Sequence, residues 1–425
     1  MRIITITDSP NLCTGLARVH RHIIDALVEA GHQVLPCVWF GYDDLTLEKI
    51  KEKKIKAPTL SYTTPTDQQV PMITIPKWNK EFDDVKMLHE IIKMAKPDVV
   101  LTIGDHWDFY YMPLIKRKAD YAFKWLAYLT IELDEIEEKY TSLLDYVDGF
   151  ASPTDFGRTV LEPLVDKPVS TIPYGVEAVF KRLPNEERQR LREERDCADK
   201  IRFITVAQNT VRKNLPSLLQ AIKLICHRDP NRRLQFYIHT NIEEGDFQDP
   251  NVYDLAALAA KLGIEDWVVF PESHQSVFNA PTDDNLLEEY NSADFFVTPS
   301  TCEGYGLPLQ EAMACGLPVI ANGYSVMPEL VGPVLSEHSF GAAARGWLVG
   351  NRTEVIPPAK MIKVIRPDAL GQAIWELSNW QDTSKMRENC LGFAKERSWS
   401  KMKERICKVV ESVAGPISIP IEVLK

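Results

Sequence analysis

The stretch Thr301-Cys-Glu-Gly-Tyr-Gly-Leu-Pro-Leu-Gln-Glu-Ala-Met-Ala-Cys-Gly-Leu-Pro-Val-Ile320 decides how this chain folds. Ahead of it, Ala293-Asp-Phe-Phe-Val-Thr-Pro-Ser300 reads as a short buried strand, apolar and β-branched or aromatic, stopped by Pro299. Beyond it, Leu317-Pro-Val-Ile320 reads as the next strand. Gly304 and Gly306 permit a tight turn in which the backbone approaches a ligand. Pro308 suits the first position of a helix and Gly316 its left-handed C-terminal cap. The order is strand, glycine loop, short helix, strand. The helix turns its unpaired N–H groups and positive dipole end toward the loop, and that makes an anion site.

Two carboxylates are fixed to this site. Glu303 enters the loop, and Glu311, eight positions on, is expected near the end of the first helical turn. Carboxylates repel phosphate, so they serve another part of the ligand. They accept hydrogen bonds from hydroxyls, and a sugar nucleotide carries hydroxyls on both sides of its diphosphate. The plainer alternative makes Glu303 a solvated loop residue and gives Glu311 only the helix dipole to complement.

The whole string, with seven residues between Glu303 and Glu311, resembles the donor motif of retaining family 4 glycosyltransferases of the GT-B fold, the glycosyl transferases group 1. The resemblance implies an α/β chain of two Rossmann-like doubly wound domains facing across a cleft. Residues 1–178 would form the N-terminal, acceptor-binding domain and residues 179–398 the nucleotide-sugar domain. Residues 399–425 would be a C-terminal helix and tail returning to the first domain. It further implies transfer with retention of anomeric configuration, a nucleoside-diphosphate sugar as substrate, and no metal or other cofactor.

Composition sets the bounds. A chain of 425 residues, 45% hydrophobic and 26% charged, is long enough for two domains with substantial cores. No apolar run approaches a membrane span, and Met1-Arg-Ile-Ile-Thr-Ile-Thr7 enters an alternating strand with no signal-peptide layout. Eight scattered cysteines, without Cys-x-x-Cys pairs or His partners at metal spacing, suit reduced thiols in the cytoplasm. A net charge of −11 disfavours a broad nucleic-acid-binding face but not a local anion pocket. Lys49, Lys51, Lys53, Lys54 and Lys56 form one basic patch, and Lys116, Arg117 and Lys118 another. Solvated helix faces are the expectation, with peripheral contact to an anionic membrane or polyanionic acceptor as the alternative.

In the first half, Arg2–Thr7 reads as a strand, Gly15 to Ala30 as a helix and His32–Phe40 as the next strand. Ser9 to Gly15 is a Rossmann-like phosphate-facing turn, although the full Gly-x-Gly-x-x-Gly fingerprint is absent. The family usually carries Gly-Gly here, followed by Arg. This chain has Thr14-Gly15, with Arg18 three residues on, and a single glycine still offers its N–H to the donor phosphate. Tyr42 to Pro76 reads as irregular, either an acceptor-shaping insertion or a surface loop. Strand 97–104 ends in Gly104-Asp105-His106, where strand ends face a ligand crevice, so Asp105 and His106 are candidates for acceptor contact. A lone histidine is also an ordinary structural residue. Glu132 sits at the exit of strand 125–131, where many family members place a sugar-binding His. An acid there would position or deprotonate the acceptor hydroxyl, hold a sugar hydroxyl, or cap the acidic helix Glu135–Tyr140.

In the second half, Pro173 and Gly175 make Val169–Glu177 a plausible interdomain hinge. Ile201–Ala207 opens a second doubly wound unit, and its exit loop, Gln208 to Asn214, leads into a helix from Pro216. Arg212 and Lys213 lie at that strand-to-helix turn, where fixed cations meet a diphosphate and neutralise the departing nucleoside diphosphate. A solvated Arg-Lys turn is the alternative. The family commonly places Arg early in this loop and Lys five residues later. Gln208 fills the first place and Lys213 the second, so Arg212 stands in for the missing guanidinium.

The resemblance therefore gives Glu303 the hydroxyls of the donor sugar and Glu311 those of the ribose. Backbone N–H groups of Gly304, Tyr305, Gly306 and Leu307 hold sugar and phosphate, and the base sits near Pro271–Ser276. The acceptor is a glycan, a lipid-linked glycan or another hydroxyl compound. A GT-B phosphorylase or nucleotide-sugar epimerase is the nearest rival. A non-catalytic protein that binds sugar nucleotides or glycans is the rival from outside enzymology. Product analysis separates the first, and any measurable transfer removes the second.

Overall fold

The computed structural model describes residues 1–41, 60–75, 82–119, 121–241, 252–271, 282–332, 334–336, 339–340, 342–356 and 360–415. The chain divides into two compact units. Met1–Tyr174 joins the C-terminal segment from Trp399 onward, and Gly175–Ser398 forms the second unit. The first unit thus ends a few residues before position 178. Val176 bridges to Ser398 and donates its N–H to Arg397 O at 3.1 Å, which ties the start of the crossing segment to the second unit.

The first unit is built on β1 (Arg2–Asp8), β2 (Gln33–Trp39), β3 (Leu60–Thr63), β4 (Gln69–Thr74), β5 (Val99–Asp105), β6 (Lys124–Thr130), β7 (Gly149–Ser152) and β8 (Val169–Thr171). They lie in the order β3-β4-β2-β1-β5-β6-β7-β8, parallel except for the β3–β4 pair. From its second residue, β1 is buried on both faces, as a parallel strand covered by helices should be. Ile4, Ile6, Val100, Trp125, Ala127 and Phe150 share one side's core. The helix Trp399–Ala414 returns to this unit: Trp399 stacks on His22 at 3.9 Å, and Lys403 reaches Asp25 and Glu29.

The chain reverses its spread across the sheet between β1 and β5, the crevice where such folds hold ligands. Helix Gly15–Glu29 starts from the exit of β1, and a short turn His106–Phe109 starts from β5.

The hairpin β3–β4 overturns the expectation of irregular chain from Tyr42 to Pro76, of which residues 42–59 lie outside the described set. Tyr62, Val70 and Met72 alternate inward onto Ile24 and Val38. Pro71 within β4 and the surrounding Thr and Pro hid that period-two signal. Of the basic patches, Lys116 is not on a solvated face. Its ammonium bonds Tyr146 O at 2.8 Å and pairs with Asp148. Residues 49–56 lie outside the described set.

In the second unit β9 (Ile201–Val206), β10 (Leu234–His239), β11 (Val268–Val269), β12 (Phe295–Val297), β13 (Val319–Asn322) and the later strand Gly346–Val349 form one parallel sheet. Its order is β11-β10-β9-β12-β13 and then Gly346–Val349. Phe203, Phe236 and Phe295 stack on one face, with centroids 5.1 and 5.2 Å apart. Here the spread reverses between β9 and β12, so their exit loops share the crevice. The hairpin Asn351–Ile356 with Lys360–Ile365 was not foreseen. No helix among the described residues is long and apolar enough to cross a membrane.

Candidate functional site

The two exit loops of the second switch point meet through charge. After β12 the chain turns at Thr298–Thr301 and buries Glu303, 6% exposed. After β9 a short turn, Val211–Lys213, ends at Asn214 in the left-handed conformation, φ 52°. Asparagine tolerates that conformation better than most residues. The turn is latched to the other loop because Arg212 O accepts from Thr301 N at 2.9 Å and Thr301 Oγ1 at 3.1 Å. Asn214 Nδ2 donates to Pro299 O at 3.3 Å.

Arg212 and Lys213 therefore point at one carboxylate. Lys213 Nζ lies 2.7 and 2.8 Å from the two Glu303 oxygens. Arg212 Nη1 lies 2.9 Å from Oε2 and also donates to Cys302 O at 2.8 Å. Burial alone would raise the Glu303 carboxyl, but Lys213 and Arg212, aided by a Ser300 hydrogen bond, hold it down at about 2. It is an anion at every working pH. The cluster of two cations and one anion carries a net positive charge beside a helix N-terminus.

That helix, Leu307–Ala314, begins after Gly306, whose φ is +94°. A Cβ at Gly306 would also sit 3.1 Å from Leu309 Cδ1 and 3.2 Å from Leu330 Cδ1, so the turn requires glycine. Pro308 is the second helical residue rather than the first, and Gly316, φ +76°, follows the C-terminal end as expected. Glu311 opens the second turn and is 5% exposed. Tyr290 donates its hydroxyl to Glu311 Oε2 at 2.9 Å. Tyr305 turns its side chain inward, donating to Gln310 Oε1 at 2.6 Å. Gly304 and Leu307 are partly exposed at the same loop.

Three supports of the loop had no distinct signal in the sequence. Asn322, fully buried, donates through Nδ2 to Thr301 O at 3.0 Å, Ser300 O at 3.3 Å and Lys363 O at 2.8 Å. Its Oδ1 accepts from Asn351 at 2.8 Å. Ser325, held at φ +59°, donates to Glu303 O at 2.8 Å. Tyr290 is the third. Segment 322–325 thus braces Glu303 from behind.

The first unit carries the remaining candidates. Gly15 is the first residue of its helix and is exposed. The N-cap Thr14 accepts from Ala17 N at 3.1 Å and donates to Asp8 Oδ2 at 2.8 Å. Asp8 was not singled out from the sequence. It puts a buried acid into the turn read as phosphate-facing. His106 is buried, with Trp107 and Tyr140 edge-on at 4.7 and 5.2 Å. Thr130 donates to Asp105 Oδ1 at 2.5 Å. Glu132 is partly buried just past β6. It caps no helix, because the next one is Glu138–Leu144, with Glu137 at its cap. Most of the segment expected to hold the base, positions 272–276, lies outside the described residues. Among those residues no group of three His, Cys, Asp or Glu side chains is placed to hold a metal ion.

Residues 187–339 match the family model of the glycosyl transferases group 1. Alpha-monoglucosyldiacylglycerol synthase of Streptococcus pneumoniae is 30% identical over 207 residues, 47% of this chain and 42% of that protein. O-antigen chain mannosyltransferase B of Escherichia coli is 31% identical over 121 residues, 28% of each. The chain thus spans less than half the length of these curated relatives. Among solved structures, sucrose-phosphate synthase of Thermosynechococcus elongatus superposes with a TM-score of 0.70 at 17% identity, covering 97% of this chain and 99% of that one. Anabaena Alr3699/HepE in complex with UDP-glucose gives 0.68 at 14% identity, covering 97% and 100%. Two parallel sheets with ligand crevices at their switch points, matched over nearly the whole chain, are the GT-B arrangement. The fold is therefore GT-B, and residues 187–339 within it resemble the glycosyl transferases group 1.

Proposed function

We propose that this protein is a retaining, family 4-type glycosyltransferase that moves a sugar from a nucleoside-diphosphate sugar to an acceptor hydroxyl. The observation that carries the reading is the Glu303–Arg212–Lys213 cluster at the second switch point, beside the N-terminus of helix Leu307–Ala314. Negative charge grows on the diphosphate as the glycosidic bond breaks. Arg212 and Lys213 supply positive charge there, in the role a metal ion plays elsewhere. Glu303, kept ionised, accepts sugar hydroxyls, and Glu311, oriented by Tyr290, accepts the ribose hydroxyls. N–H groups from Gly304 to Leu307 and that of Gly15 serve sugar and phosphate. His106 and Glu132 are assigned to the acceptor side. UDP is the first donor base to try, because a structural neighbour holds UDP-glucose and the lipid and glycan names of the relatives suggest such acceptors.

A thermal-shift screen of UDP, GDP and ADP with their sugars identifies the donor, since a ligand at a hundred times its Kd stabilises by about 2.7 kcal/mol. Transfer is then assayed by product analysis with and without a chelator. Retained anomeric configuration and chelator-resistant turnover support the reading. Phosphate-dependent cleavage, or a free epimer as sole product, sinks it. So does an inverted product.

A further inference from the structure

At the opposite end of β12 from Glu303, a second cationic cluster has no role in the transfer reading. Arg387 donates to Gly316 O at 3.1 Å and to Asp294 O at 3.1 Å. Arg188 holds the adjacent carbonyls, Asn291 O at 3.0 Å and Ala293 O at 3.4 Å. Arg182 lies over Gly316, where a Cβ would meet its Nη1 at 3.2 Å and its Cδ at 3.3 Å. Three guanidinium groups therefore converge on two short pieces of backbone.

Asp294 is the carboxylate whose charge favours all three, but it forms no ion pair with any of them. The carboxylate in reach, Asp294, is engaged by Arg192 Nη1 at 2.9 Å and by the Arg202 N–H at 2.9 Å. Among the described residues none of Arg182, Arg188 and Arg387 pairs with a carboxylate, and the buried Nη1 of Arg182 has no hydrogen-bond acceptor. Burial, then the neighbouring Arg182 and Arg387, drags Arg188 down to about 10. Carbonyl clamping accounts for Arg188 and Arg387 but not for Arg182. All three residues are partly exposed, so the cluster borders solvent.

We propose that Arg182, Arg188 and Arg387 form an oxyanion site for a phosphate group, separate from the donor site. Planar guanidinium forks match tetrahedral oxyanions bidentately, and an anion here relieves the mutual repulsion. Inorganic phosphate and a sugar phosphate monoester present the same group.

The test is thermal unfolding of the full chain in inorganic phosphate or glucose 6-phosphate, against chloride at matched ionic strength. Wild type, Arg182→Gln and the donor-side double variant Arg212→Ala/Lys213→Ala are compared. Wild type should gain roughly 3–5 °C at ten times the Kd. The gain should persist in the double variant and vanish in Arg182→Gln, which gives up no carbonyl clamp. Equal gains with both ligands assign the site to the phosphoryl group alone, and a larger gain with the ester assigns it to a sugar phosphate. If Arg182→Gln does not fold, Arg387→Lys keeps the charge, loses the fork, and should weaken phosphate binding at least about tenfold. No gain beyond chloride overturns the proposal. A gain that survives Arg182→Gln, or disappears with the donor-side pair, overturns it too. The readout is binding rather than turnover, so it stands or falls separately from glycosyl transfer.

Discussion

Lys213→Ala probes whether the cluster at the second switch point is built for a leaving group. The substitution removes an ammonium 2.7 and 2.8 Å from the Glu303 oxygens and leaves the Ser300 hydrogen bond and Arg212, whose side chain is 35% exposed. The carboxyl now sits at about 2 against an ordinary 4.5, despite burial. At 1.36 kcal/mol per pH unit, the surroundings favour its charged form by about 3 kcal/mol. With Lys213 gone, burial dominates and the carboxyl rises. A depressed carboxyl contributes stability that is complete above pH 4.5 and lost as pH falls from there through about 2. In the variant that loss moves to higher pH. The missing cation also costs the departing diphosphate on the order of 2–4 kcal/mol, or roughly 30- to 1000-fold in rate. The assay is kcat/KM for transfer from the donor found in the screen, measured between about pH 4 and 9. The expected result is that loss at neutral pH, with a new acid limb. Lys213→Arg should recover part of the rate and lower the limb again. A variant within about threefold of wild type, with an unchanged profile, refutes the leaving-group role.

Three further outcomes follow from buried contacts within the two units. Tyr290→Phe removes the hydroxyl that orients Glu311 and should cost about 1–3 kcal/mol, seen as a lower Tm together with a raised donor KM. An unchanged donor KM would separate Glu311 from the ribose. Asn322→Asp places a carboxylate against the three carbonyls the amide now serves and should cost at least about 2 kcal/mol in urea unfolding, while Asn322→Ala costs less. If the two variants are equally stable, the brace is not set by hydrogen bonding. His20, fully buried between Thr5 Oγ1 at 2.7 Å and Asp8 O at 2.9 Å, is pushed by burial to about 4 from 6.5. The unfolded chain takes up a proton that the fold refuses, so its contribution is complete above pH 6.5 and falls by up to about 3 kcal/mol as pH drops to 4. Denaturation midpoints from pH 4 to 8 should flatten in His20→Gln, and an equally steep curve refutes the assignment.

The loop from Thr301 to Gly316 was legible because its signals are local and mutually consistent. Pro299 follows the end of a strand, Gly306 needs positive φ, Pro308 lies in the first turn of a helix and Gly316 follows its end. The two cations were legible for the same reason, since Arg212 and Lys213 sit in a strand-to-helix turn whose flanking periodicities are clear. What composition could not convey was their partner. Glu303 and the cations are about ninety residues apart in sequence, and only the order of β9 and β12 in the sheet brings them together. Asn322 and Ser325 were invisible for a different reason. An amide that satisfies three carbonyls, and a serine bent to φ +59°, look like ordinary polar residues after a strand. The hairpin at 60–74 was lost because Pro71 and the threonines masked its alternation. Glu132, read as a capping acid or a site residue, lost the capping role because the helix starts later than its acidic run suggests.

The contact between Glu303 and its two cations has a consequence for how donor and product compete. In the free chain the cations are occupied by the carboxylate. A nucleoside diphosphate that draws them toward its phosphates must weaken those bonds and strand a buried anion, which is costly. A nucleotide sugar brings hydroxyls that take the cations' place on Glu303, so the exchange is balanced only when the sugar is present. Glu303→Gln abolishes the competition, because its cations no longer have an anion to leave. This variant should therefore bind nucleoside diphosphate more tightly than wild type, by about tenfold for each 1.4 kcal/mol released, while losing its preference for the sugar-bearing form and most of its transfer rate. Calorimetric titration of both ligands into both proteins measures the difference directly. If Glu303→Gln binds the diphosphate more weakly than wild type, the carboxylate is not its rival for Arg212 and Lys213, and the exchange does not take place.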